Sequence, residues 1–142
     1  MRKIKYRKVR KVQPNYFEYT GIYKTEPVEM QLFIYNDSEY EEYNTTSFQT
    51  IKKEINKRIG AEEVIWFNIH GLHDVTLIKE IGEFLELENY IIDDILNTSK
   101  RTRLEDLHGI SFFSVKSIIP ESGGAALSTE QISFVLKKNI IK

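Results

Sequence analysis

The sequence of 142 residues contains no cysteine. This absence excludes disulfide bonds, thiolate metal sites and cysteine catalysis, and it agrees with a reducing compartment. The sequence also lacks any apolar run near the roughly 20 residues of a membrane-spanning helix, and no apolar signal core follows its N-terminus. We therefore expect one soluble domain, long enough to bury a core without a disulfide or metal staple.

Motifs of nucleophilic and nucleotide chemistry are missing as well. The sequence has no Gly-x-Ser-x-Gly elbow, and no Lys-Ser/Thr pair of a phosphate-binding loop follows Gly123-Gly124. We therefore expect that the protein is not an enzyme. One alternative stays open, because His70, His73 and Asp74 could form a metal-dependent hydrolase site. A strand-to-helix turn in which Asp74 caps the helix is the simpler explanation for these residues.

Charge is distributed unevenly along the chain, although the net charge is only −1. Seven of the 20 basic residues lie in the first eleven positions, where no acidic residue occurs, so the remainder has 13 basic and 21 acidic residues. We expect residues 1–13 to form a basic arm. Such an arm is either a disordered tail or a surface for phosphate groups, and a nucleic-acid-binding domain is therefore an alternative function.

Hydrophobic periodicity predicts alternating strands and helices. Residues 64–69 are apolar on both faces apart from Asn68, which is typical of a central strand covered by helices on both sides, and we place Trp66 and Phe67 in the core. The fold class we predict is a three-layer αβα domain with a mixed parallel and antiparallel sheet. The predicted strands are 28–35, 39–44, 64–69, 102–107, 110–119 and 130–138, and the predicted helices follow Ser47, Asp74 and Glu88.

The stretch Trp66–Gly71 ends a strand, Asp74 follows closely, and a later helix contains Asp93-Asp94-Ile95-Leu96-Asn97. This pattern resembles the N-terminal cytoplasmic domain of CorA-type magnesium and divalent-cation transporters. Weaker matches, among them Tyr19-Thr20-Gly21, 101–107 and 130–133, extend the resemblance over nearly the whole chain from Pro14. The family commonly has Glu followed by Asp at the acidic pair, whereas this chain has Asp at both positions.

The resemblance implies a function and a setting. Residues 14–142 would form a CorA-like regulatory domain that senses divalent cations, truncated before the stalk and transmembrane helices. The full-length protein would be a homopentamer at the cytoplasmic face of the cell membrane, with the transmembrane part of the same protein as a partner. Nucleic acid is not an expected partner under this interpretation. The transported ion would be Mg²⁺, or else Co²⁺, Ni²⁺ or Zn²⁺.

Asp93 and Asp94 are the candidate metal ligands. Mg²⁺ prefers oxygen ligands and keeps several waters, so one chain needs to supply only one or two carboxylate ligands. The resemblance implies a weak regulatory site between subunits, whose partner carboxylates lie beyond Lys142. Because Asp93 replaces a longer residue, we expect Asp94 to be the better ligand. Two alternative explanations of the acidic pair remain. The helix dipole favours negative charge in the first turns of a helix, and the aspartates could instead form ion pairs with the basic group Lys100, Arg101 and Arg103.

Overall fold

The computed structural model of the chain describes residues 26–121, 123–124 and 126–137. The predicted basic arm and the segment around Thr20 therefore lie outside the described residues. Six strands and three helices make up the described part. They are β1 (Glu29–Tyr35), β2 (Tyr40–Thr45), α1 (Phe48–Asn56), β3 (Val64–His70), α2 (Val75–Phe84), α3 (Asn89–Leu96), β4 (Arg103–Leu107), β5 (Ile110–Pro120) and β6 (Leu127–Lys137).

The strands form two separate three-stranded sheets, which we call sheet A, with the order β2-β1-β3, and sheet B, with the order β4-β5-β6. Every pair of neighbouring strands is antiparallel. The predicted mixed sheet is therefore wrong. Short turns explain part of the difference, since β4 and β5 are joined only by His108 and Gly109, both at positive φ, and an antiparallel pair needs no crossover helix.

The helices of the described part lie on one face of the sheets, so the predicted three-layer arrangement is also wrong. On β1, Met30, Leu32 and Ile34 alternate toward the helices and are at most 2% exposed. These strand residues and the helical stripes form one core, because alternate side chains of a strand share a face. Its fully buried members are Met30, Leu32, Ile34, Ile51, Ile55, Ile92 and Leu96.

The strand β3 lies at the edge of sheet A rather than at its centre. Trp66 is 57% exposed and Val64 is 50% exposed, so the prediction of a covered central strand with Trp66 in the core is wrong. Phe67 points to the other face and stacks on Phe48 of α1, with ring centroids 6.2 Å apart. Apolar residues on both faces of a short strand do not reveal whether both faces are covered.

Sheet B likewise has one face toward α3 and one open face, which we call the outer face of sheet B. On this face the rings of Phe113 and Phe134 stack with centroids 4.6 Å apart. Leu104, Ile132 and Leu136 surround that pair and are 76%, 41% and 60% exposed. Their strand registers place all five side chains on the same side of the sheet.

The helix α3 connects the two sheets. Ile92 and Leu96 belong to the core of sheet A, whereas Ile91 packs with Ile110 and Phe112 of sheet B. Residues at successive positions of a helix point about 100° apart, which allows one helix to contact both sheets. The rotation of α3 about its axis is thereby fixed, and so are the directions of Asp93 and Asp94.

Candidate cation site on the third helix

The predicted ligands Asp93 and Asp94 are placed in different environments by α3. The side chain of Asp94 is only 5% exposed, and that of Asp93 is 30% exposed. An ionised carboxylate with so little contact to water needs charged or hydrogen-bonding partners within the protein. The partners of Asp94 therefore decide what this pair of carboxylates can do.

Both carboxylate oxygens of Asp94 have a cationic partner. The Nη1 of Arg103 donates to Oδ2 at 2.6 Å, and the ammonium of Lys100 donates to Oδ1. The backbone carbonyl of Asp94 also accepts a hydrogen bond from Nε2 of Gln131, on β6, at 3.3 Å. The buried charge is thus compensated inside the chain, and Asp94 is linked to both β4 and β6.

Lys100 joins the two aspartates. Its Nζ donates to Oδ2 of Asp93 at 2.9 Å in addition to its contact with Asp94. Partial burial lowers the pKa of Lys100, but the hydrogen bonds with Asp94 and Asp93 outweigh it, and the pKa lies above its ordinary value. The turn that positions Lys100 is closed by Asn97, whose Oδ1 accepts from Oγ of Ser99 at 2.6 Å.

Arg103 extends the ion pairs along β4. Its Nη2 donates to the carboxylate of Glu105, and its guanidinium lies 5.9 Å from the ring centroid of Tyr90, on α3. The hydroxyl of Tyr90 donates to Oε1 of Glu105 at 3.3 Å. Partial burial, followed by the negative charge of Glu105, raises the pKa of Tyr90 above its ordinary value. Arg103 therefore has three partners and a fixed position.

Two of the three basic residues considered as partners of the acidic pair form ion pairs with it in the structure. Lys100 and Arg103 bind the aspartates, whereas Arg101 is exposed. Within residues 26–121, 123–124 and 126–137, no group of three or more acidic or histidine side chains could hold a metal ion. The assignment of Asp93 and Asp94 as metal ligands stays a prediction.

The three residues of the alternative hydrolase site, His70, His73 and Asp74, have three different partners in the structure. Nε2 of His70 lies 2.8 Å from Oε1 of Gln31, on the open face of sheet A, whereas Nε2 of His73 contacts the carbonyl of Glu26. Asp74 caps α2, because its Oδ1 accepts from the backbone nitrogen of Leu77 at 3.0 Å. The predicted cap is confirmed, and these three side chains do not converge on one point.

Sequence reasoning missed Tyr90, Glu105 and Gln131 as members of the ion-pair group. Tyr90 lies one turn before Asp94 on α3, which is a detectable spacing. The strand positions carry no such signal, because their contact with α3 depends on the packing of sheet B. Glu105 shares the face of β4 with Arg103 at a spacing of two residues.

The chain is similar in sequence to a known transport protein. No family model matches the chain. A curated protein that transports divalent metals is 27% identical over 128 residues, which is 90% of this chain. It is the cobalt/magnesium transport protein CorA of Thermotoga maritima, and the chain spans 35% of its length. The match supports a relation of this chain to the CorA family, as the sequence pattern indicates.

The helices of the described part of the chain are short. None of α1, α2 and α3, the helices of that part, has the length and apolar character that a crossing requires. The longest of them, α2, has only 10 residues.

Proposed function

We propose that this chain is the regulatory domain of a CorA-like transporter and senses divalent cations through α3. The cation is Mg²⁺, or else Co²⁺, Ni²⁺ or Zn²⁺, bound weakly and without a catalytic role. One observation carries the proposal: the match to the cobalt/magnesium transporter covers 128 of 142 residues. Any stretch of that length in this chain includes α3 and its two aspartates.

The chemistry of the acidic pair supports the proposal in part. Carboxylates are preferred ligands of Mg²⁺, and a hydrated ion needs only one or two of them from one chain. Asp93 is the more accessible candidate, with a side chain 30% exposed against 5% for Asp94. Asp93 therefore makes the first contact with an approaching ion, and the remaining ligands are waters or carboxylates from elsewhere in the assembly.

The regulatory mechanism is linkage between ion binding and assembly. In the proposed full-length protein, copies of this domain form a homopentamer at the cytoplasmic face of the membrane, next to the transmembrane part of the same protein. An ion that binds one arrangement of neighbouring domains more tightly shifts the equilibrium toward it by the difference in binding free energy. A fall in cation concentration then releases that arrangement.

The test uses Mn²⁺ as a paramagnetic stand-in for Mg²⁺ and the uniformly ¹⁵N-labelled protein. We expect Mn²⁺ to broaden the amide signals of α3 and of the turn around Lys100, and excess Mg²⁺ to restore them. Asp93→Asn should remove the broadening. The matched control is Asp37→Asn, which removes the same charge from the exposed β1–β2 turn and should leave the broadening unchanged.

A different distribution of broadened signals contradicts the proposal. If Mn²⁺ acts equally on wild type and Asp93→Asn, or only on amides remote from α3, the ion does not bind at this pair. Circular dichroism of each variant without metal establishes that a lost signal reflects lost binding rather than unfolding.

A further inference from the structure

Lys100 takes the place between Asp93 and Asp94 that a bridging cation would occupy. Its Nζ contacts Oδ1 of Asp94 and lies 2.9 Å from Oδ2 of Asp93. An ammonium group is a compact point charge with three donors, so it satisfies two carboxylates much as a small metal ion does. The chain thus carries its own monovalent cation at the proposed binding position.

Lys100 contacts the two aspartates, whereas Arg103 contacts Glu105 and Tyr90 in addition to Asp94. The Lys100 side chain is 37% exposed and sits on a four-carbon stem beside Asp93, which is itself 30% exposed. It can therefore leave its position for water. Asp94 then still has Arg103, whose guanidinium is held by Glu105 and Tyr90 as well. Departure of Lys100 consequently does not strand the buried carboxylate without a partner.

The local charge favours such an exchange. Asp93, Asp94 and Glu105 contribute three negative charges, and Lys100 and Arg103 contribute two positive ones. The group therefore has a net charge of −1 with the lysine in place. A divalent ion in place of the Lys100 ammonium brings the group to zero, because the ion adds one more positive charge than it displaces.

We propose that Lys100 is a built-in competitor of the divalent cation, a tethered ammonium that sets the concentration at which the site fills. This inference rests on the proposed function, since it concerns regulation of the same site. The apparent association constant for the ion equals the intrinsic constant multiplied by the fraction of molecules in which Lys100 has left the pair.

The decisive comparison is between Lys100→Met and Arg101→Met. Each variant removes one positive charge, but Lys100 forms ion pairs with both aspartates, whereas Arg101 is an exposed neighbour of Lys100 in the sequence. We expect Lys100→Met to bind Mn²⁺ and Mg²⁺ roughly fivefold more tightly than wild type. A fivefold change in affinity is about 1 kcal/mol, which is the usual contribution of a partly exposed ion pair. Arg101→Met should change the affinity by less than about twofold, through general charge alone.

A second measurement needs no substitution. The ¹⁵N and ¹H signals of the Lys100 ammonium in the wild-type protein should move toward those of a free lysine as diamagnetic Mg²⁺ is added. Lys100→Arg, which keeps the charge but has a planar donor group, should bind Mg²⁺ no more tightly than wild type.

Two failures can be told apart. If cations bind at α3 but Lys100→Met and Arg101→Met have equal affinities, or if the ammonium signals do not move, Lys100 is not a competitor and the proposed function stands. If wild type and Lys100→Met both show no binding at α3, the proposed function fails and this inference fails with it. Melting curves without metal exclude unfolding of Lys100→Met as the cause.

Discussion

Arg103 on β4 and Asp94 on α3 are joined by a hydrogen bond of 2.6 Å between Nη1 and Oδ2. The carboxylate is almost entirely shielded from water, whereas the Arg103 side chain is 43% exposed. A pair of this kind fixes the helix against the strand more than it attracts ligands, because Asp94 cannot leave without exposing an unpaired charge to the core. Asp94 therefore has a structural role whether or not it also binds a cation.

The first prediction concerns stability in the absence of metal. Asp94→Ala removes the shared partner of Lys100 and Arg103, and we expect it to lower the free energy of unfolding by about 1–3 kcal/mol. The side chains of Lys100 and Arg103 are 37% and 43% exposed, so water already solvates both cations in part, and the loss stays below that of a fully buried pair. Urea unfolding of the variant and of the exposed-site control Asp37→Ala measures it. Equal stabilities would show that the ion pairs contribute nothing.

The second prediction concerns acid. Glu54, on α1, accepts hydrogen bonds from Lys57 at 2.7 Å and from Arg58 at 2.9 Å. These lower its pKa from 4.5 to about 2. A carboxylate with a lowered pKa in the folded state stabilises that state fully above pH 4.5, and this stabilisation is lost as the pH falls toward 2.

Glu54→Gln tests this pH dependence. The stability difference between wild type and Glu54→Gln should be largest near neutral pH and should shrink between pH 4.5 and 2. Glu62→Gln, at an exposed position, is the matched control and should show a much smaller change over that range. A difference that does not depend on pH would contradict the role of Glu54. Urea unfolding followed by circular dichroism at each pH provides the measurement.

The third prediction compares two helix caps. The carboxylate of Asp74 accepts from the backbone nitrogen of Leu77, whereas Ser47 precedes α1 without any side-chain cap hydrogen bond. We expect Asp74→Ala to cost about 1 kcal/mol, the usual effect of losing a cap. Ser47→Ala should cost less than about 0.5 kcal/mol, since no bond is lost. Thermal and urea unfolding of both variants decides, and equal losses would contradict the difference in capping.

The fourth prediction concerns the contact between Gly82 of α2 and Ile92 of α3. A methyl group at Gly82 would lie 2.5 Å from Cδ1 and 2.7 Å from Cγ1 of Ile92, which is buried. We expect Gly82→Ala to destabilise the protein by about 1–3 kcal/mol, despite the better helix propensity of alanine.

A double variant tests the cause of that loss. Ile92→Val removes Cδ1, so Gly82→Ala combined with Ile92→Val should lose less free energy than the two single variants added together. Simple additivity in urea unfolding would show that the two side chains do not clash. Ile51→Val, at a buried position on α1, serves as the control for loss of the same methyl group.

Local features of the fold followed from the sequence, whereas its layers did not. The cap at Asp74 and the strand at 29–35 depend on neighbouring residues and were predicted correctly. The position of 64–69 at a sheet edge depends on which strand pairs with which, and this is decided by contacts far apart in sequence. Alternation of apolar residues cannot distinguish an open face lined by Trp66 from a covered one.

The candidate site shows the same limit. The acidic pair was detectable from its pattern, and the nearby basic residues were recognised as possible partners. The burial of Asp94 was not detectable, because Arg103 reaches it from one strand and Gln131 from another, 37 positions away. Which of two adjacent carboxylates meets water is set by the rotation of α3, and that rotation depends on two hydrophobic cores.

The outer face of sheet B has a practical consequence for anyone who follows unfolding with a hydrophobic dye. Leu104 and Leu136 border a stacked phenylalanine pair in the native state, so ANS and related fluorophores should bind to the intact protein. Such fluorescence is commonly taken as a mark of a molten globule. Here it would be emitted by properly packed molecules, and circular dichroism is the sounder monitor of melting.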